Sequence, residues 1–199
     1  RRNICKYQRL FKMIYVCGDS FAASDPESAI RPWHEQLECV NLSRVCATNL
    51  QISQQVDHAI EHASFVIALF TTCVRFEYGE DSYTLHNLTT SKLSKVQQHL
   101  VTEHAKHFFN LNLEIYRNKC IIESVLQRLT DSGIPFLFDQ GGFEHTKFGV
   151  TTQYFEKYNK NRSKYNLWDH GDSKLHRPYF HITDQLIHNR VAEYYREQT

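Results

Sequence analysis

Three short, unbroken apolar runs constrain this chain more than any other feature: residues 13–17 (MIYVC), 65–70 (FVIALF) and 134–138 (IPFLF). None alternates apolar with polar positions, so a strand made from any of them must bury both faces. That is the requirement of a parallel sheet covered by helices on each side. Each run stops on turn-forming or polar residues: Gly18 and Asp19, Thr71 and Thr72, and Asp139 ahead of Gly141 and Gly142. Between them the period changes. Ile52, Val56, Ala59 and Ile60 carry helical spacing through residues 51–62. Residues 89–130 are nearly free of Gly and Pro, with apolar positions at helical spacing from Leu111 to Leu129, which predicts one or two helices ended by Asp131, Ser132 and Gly133. Residues 39–42 (CVNL) read as a second strand, residues 33–37 as part of a helix after Pro32, and residues 184–197 as a closing helix. Residues 143–180 read as irregular, with 151–166 fitting a mobile loop, and the chain carries no internal repeat. The expected fold class is α/β: three α/β/α layers around a mostly parallel sheet, with ligands bound at the carboxyl ends of the strands. Ser20, Cys46, residues 71–75 and Asp139 all fall at such ends.

The 199 residues fit one domain, and a 41% hydrophobic, 13% aromatic composition is enough to bury a real core. Met13, the only methionine, directly precedes the first apolar run, while Arg1, Arg2, Lys6, Arg9 and Lys12 make the preceding stretch basic. Two readings fit residues 1–12: an upstream extension that is not native, or a basic surface arm. Residues 13–199 form the expected domain. Lys plus Arg number 23 against 22 Asp plus Glu, so no global field recruits nucleic acid or an anionic membrane, and neither is expected as a partner. No apolar run spans a bilayer and no secretory pattern is present, so a soluble, cytoplasmic protein is expected. The six cysteines show no CxxC spacing and mostly sit in apolar runs, as free thiols in a reducing compartment do. Oligomeric state is not legible.

Gly18-Asp19-Ser20 follows the first strand directly. A glycine there permits a sharp turn, and the serine can present its hydroxyl in the strand-end crevice. A nucleophilic serine also needs a base, normally histidine, and donors for the developing oxyanion. Among the 12 histidines, His104 and His107 stand three apart on a predicted helix with His99 and Glu103 nearby, a spacing that can bind zinc. No HExxH or Cys/His spacing accompanies them, and neither metal nor cofactor is expected. Residues 168–172 (WDHGD) read as a polar loop. The aromatic and basic residues 154–168 fit either stacking on bases or sugars or, preferably, a surface loop.

VCGDSF at 16–21 resembles the first conserved block of the SGNH, or GDSL, hydrolases. NLSRVCATNL at 41–50 resembles the second, ALFTTCVRFE at 68–77 the third, and FHITDQLIHNRVAEYY at 180–195 the fourth. The resemblance covers nearly the whole chain and implies an SGNH hydrolase domain of flavodoxin-like architecture. It implies a serine esterase acting on a small-molecule or glycan ester, with Ser20 as nucleophile and His181 as base. It places the N–H groups of Ser20 and Cys46 and the hydroxyl of Thr72 in the oxyanion hole, and Asp19, Asn49 and Arg75 among the substrate-binding residues. Three departures stand out. Cys46 occupies the second-block glycine, Thr72 replaces the third-block asparagine, and Tyr179 and Pro178 stand where the triad acid is expected. Asp169, Asp172 or Asp184 could substitute for that acid, or a Ser-His dyad could operate, with His188 the less favoured base. Arg75 fits either a carboxylate or phosphate ligand or a surface salt bridge. The departures leave an alternative open: a catalytically impaired SGNH-like binding or interaction module.

Overall fold

The computed structural model describes residues 13–20, 22–23, 38–78, 81–83, 93–140, 150 and 152–162. Their core is a four-stranded, entirely parallel sheet of β1 (Ile14–Cys17), β2 (Cys39–Asn41), β3 (Phe65–Leu69) and β6 (Phe136–Asp139), in the order β2-β1-β3-β6. Ile14 pairs with Cys39 on one side and Phe65 on the other, and Leu69 pairs with Asp139. The apolar runs thus supply the three strands that lie side by side. A mostly parallel α/β fold is what the sequence predicted.

Two long helices cover one face. α1 (Asn49–His62) joins β2 to β3, and α3 (Leu111–Asp131) lies between β3 and β6. Ile52, Val56 and Ala59 of α1 and Ile122, Val125, Leu126 and Leu129 of α3 pack with Tyr15, Cys17, Val66, Ala68, Phe136 and Phe138. The alternate strand residues Val16, Ile67, Leu69 and Leu137 point the other way and are buried as well, which explains why the runs never alternate.

The helix starts are set by side chains. Thr48 and Gln51 form a capping box on α1, Ser94 and Gln97 form one on α2 (Lys95–Phe108), and Asn110 caps α3. The described residues 93–131 therefore hold two helices, divided at Phe109 and Asn110. Gly133, with φ of 70°, closes α3 in the left-handed conformation that glycine tolerates best.

Two features depart from expectation. Phe76–Tyr78 (β4) and Asp81–Tyr83 (β5) form an antiparallel hairpin after β3. Thr152–Asn161, read as part of a loop, is a kinked 3-10 segment packed on α3 and β6, and Phe155 and Tyr158 are buried in the core. Those two rings are therefore withdrawn from any stacking surface. No helix among the described residues is long and apolar enough to cross a membrane. The predicted helices at 33–37 and 184–197, the 168–172 loop and residues 1–12 lie outside the described residues.

Candidate functional site

The chain leaves β1, runs outward to β2, and returns across β1 to β3, so the strand order reverses between the carboxyl ends of β1 and β3. In open parallel sheets that crevice is where ligands bind. Gly18 enters it pinned on three sides. Its N–H donates to Gln55 Oε1 at 2.7 Å, and its carbonyl accepts from Gln55 Nε2 at 3.3 Å and from the Arg44 N–H at 3.1 Å. Its backbone is not left-handed, so the turn does not explain the glycine. Close approach does: a Cβ here would stand 3.1 Å from Leu69 Cβ and 3.2 Å from Ala22 Cβ. The chain then bends, with Ala22 and Ala23 donating to the Asp19 carbonyl at 3.0 and 2.9 Å, and Ser20 sits half-buried in the bend.

Asp19 turns inward and is fully buried. Its Oδ2 accepts from the Thr71 hydroxyl at 2.6 Å and pairs with Arg75 Nη2 at 2.8 Å, which joins the turn after β1 to the loop after β3. Arg75 also donates through Nη1 to the Ala47 carbonyl at 2.9 Å. Its Nε is buried with no hydrogen-bond partner among the described residues. The pair is therefore buried, with the Arg75 side chain only 8% exposed, and not on the surface as one sequence reading had it.

Asn49 secures the same loop. Its amide donates to the Thr71 carbonyl at 2.9 Å and to Asn118 Oδ1 at 2.7 Å, and its oxygen accepts from the Thr71 N–H at 2.8 Å. Thr72 is buried beside it and accepts from the Val74 N–H. Burial also pushes the Cys73 thiol up to about 11.

The loop after β2 closes the crevice. Cys46 is the one described non-glycine residue with positive φ, at 64°. Its carbonyl accepts from the Ser82 hydroxyl of β5, and the Thr48 hydroxyl donates to the Glu77 carboxylate of β4, so the hairpin is braced against this loop.

Beside the crevice lies a cavity of about 360 Å3, near the lower end of the range for small-molecule sites. Thr48, Arg75, Glu77, His104, Glu114, Arg117 and Asn118 supply its polar lining, and Leu50, Val101, Ala105, Phe108, Phe109 and Ile121 its apolar wall. Arg117 stands 3.9 Å from Glu114, so the charges are nearly balanced. Ser20 is not part of the lining; Arg75 is, and its guanidinium pairs with Asp19.

No protein family, curated protein or solved structure matches the chain. The site must be read from its own geometry.

Of the residues singled out in the sequence, Ser20, Asp19, Cys46, Thr72 and Arg75 lie in the loops at the carboxyl edge, and Asn49 opens α1 beside them. Asp19 and Asn49 are engaged inside the protein, and only Arg75 of the three proposed substrate contacts lines the cavity. His181, His188, Asp169, Asp172 and Asp184 lie outside the described residues. Sequence reasoning placed Thr71 at a strand end without giving it a role, and missed Gln55, Asn118 and Glu77. Gln55 and Asn118 had a usable signal, as polar residues on otherwise apolar helix faces; Glu77 had none.

Proposed function

We propose that the chain is an SGNH-type serine esterase or acyl hydrolase acting on an ester of a carbohydrate, lipid or small metabolite. The observation that carries this reading is the seat of Ser20, on a pinned bend at the carboxyl end of β1, where the strand order reverses. A second observation supports it. Cys46, at the position the resemblance gives to glycine, holds the left-handed conformation that glycine favours, so its backbone suits the role even though its side chain differs.

On this reading Ser20 attacks the ester carbonyl while His181 takes the hydroxyl proton and passes it to the leaving alcohol. The N–H groups of Ser20 and Cys46 and the Thr72 hydroxyl receive the developing oxyanion. Asp19 and Asn49 act as positioning residues that hold the two loops, and Arg75 extends from Asp19 to the cavity that would receive part of the substrate. Thiols at Cys17 and Cys120 fit a cytoplasmic setting. Replacing Ser20 by Ala tests the reading: hydrolysis of short p-nitrophenyl esters should vanish, and an unchanged rate contradicts it.

One observation favours a second reading, a binding module without catalysis: the cavity lining omits Ser20. A protein of that kind would keep its ligand affinity in Ser20→Ala and show no esterase activity in the parent chain.

A further inference from the structure

The sequence H-x-x-E-H at residues 58–62 lies on the last turns of α1, at the opposite end of that helix from the Thr48 cap and the candidate site. Histidines at i and i+4 stand one above the other on a helix face, and a glutamate at i+3 from the first flanks the same face. The structure brings the three together: their ligand atoms lie within 4.8 Å of one another. The His58 and His62 rings meet edge-on with centroids 4.9 Å apart, and His62 Nε2 lies 3.7 Å from Glu61 Oε2. Tyr15 of β1 backs His58 through an edge contact at 6.2 Å, which limits the ring's freedom on the protein side.

We infer that His58, Glu61 and His62 form a binding site for a borderline divalent transition metal, for which Zn2+ is the probe. Two imidazole nitrogens and a carboxylate oxygen are a donor set that such ions accept, with one position left for water. A tetrahedral ion with bonds of about 2.0–2.1 Å needs its donors roughly 3.3 Å apart. All three side chains are exposed and can rotate to close that gap without disturbing the core. The site also sits at a helix carboxyl terminus, whose unsatisfied carbonyls favour a cation. The other histidine cluster, on α2, is less suited. Lys106 Nζ stands 2.6 Å from Glu103 Oε1 and so places a fixed positive charge beside that cluster's carboxylate. Glu61 has no Lys or Arg partner among the described residues.

The test is calorimetric titration of ZnCl2 into the full chain after removal of metal with a chelator, repeated on His58→Asn, His62→Asn, Glu61→Gln and, as a control on α2, His107→Asn. Loss of an outer-sphere partner already costs roughly 10–100-fold in metal affinity, so losing either imidazole should weaken one Zn2+ equivalent by at least about tenfold. Glu61→Gln should weaken it less, and His107→Asn should leave it in place. Circular dichroism checks that each exposed substitution keeps the fold. The inference is overturned if the parent chain takes up no Zn2+, if both histidine variants retain every equivalent at parental affinity, or if His107→Asn removes the equivalent assigned to α1.

Discussion

Asp19 Oδ2 stands 2.8 Å from Arg75 Nη2, and both side chains are buried. The turn that carries Ser20 is thereby tied to the loop after β3 by a charge pair, with the Thr71 hydroxyl on the same carboxylate oxygen. Removing one member leaves the other charge buried and uncompensated, which typically destabilises by about 3–5 kcal/mol. Asp19→Ala and Arg75→Ala should each show such a loss in urea unfolding, and the double variant should lose clearly less than the two losses combined. Additive losses would show that the two side chains do not stabilise each other.

Gly18 is required by space. A methyl group there meets Leu69 Cβ at 3.1 Å and the Leu69 carbonyl oxygen at 3.3 Å, and the latter belongs to a strand that cannot step aside. Gly18→Ala should destabilise by roughly 1–3 kcal/mol, the usual consequence of overpacking, as read from the denaturation midpoint.

Cys46 holds a left-handed backbone, which costs a residue with a side chain roughly 1–2 kcal/mol. Glycine's greater freedom in the unfolded chain offsets about 0.5–1 kcal/mol of the relief. Cys46→Gly should therefore stabilise by up to about 1.5 kcal/mol, while Cys46→Val, branched at Cβ, should destabilise. Thermal unfolding of the two variants beside the parent separates these outcomes.

The buried thiols make alkaline pH destabilising. Burial raises Cys17 and Cys39 and pushes Cys73 up to about 11. In the unfolded chain a thiol ionises at about 8.5. Between those values the unfolded chain has released protons that the folded chain retains, so stability falls as pH rises; below about 8.5 both states hold the proton and the thiols contribute no slope. The melting temperature should decline above about pH 9, and Cys73→Ala should flatten that decline whatever it does to absolute stability.

The sheet was legible because its evidence is local. Three adjacent strands needed two apolar faces each, and residues 13–17, 65–70 and 134–138 announced that directly. The β4–β5 hairpin was not legible, because three-residue strands carry too little pattern. Phe155 and Tyr158 fall in a stretch expected to be a surface loop because their neighbours are Lys, Asn and Glu; only the packing against α3 and β6 shows that two rings three residues apart anchor the segment. At the site, the bend at Ser20 could be placed from the strand before it. The partner of Asp19 could not. Arg75 lies far along the chain, and a charge reads the same in sequence whether it faces water or a buried carboxylate.

The proposed activation of Ser20 as a nucleophile is read most directly by active-site labelling, which assumes no substrate. The full chain is treated with a fluorophosphonate probe and digested, and the modified residue is located by mass spectrometry, with Ser20→Ala in parallel. An activated Ser20 should give a single adduct that disappears in the variant and after heat denaturation. A parent chain that takes up no probe, or a label that persists in Ser20→Ala, would contradict it.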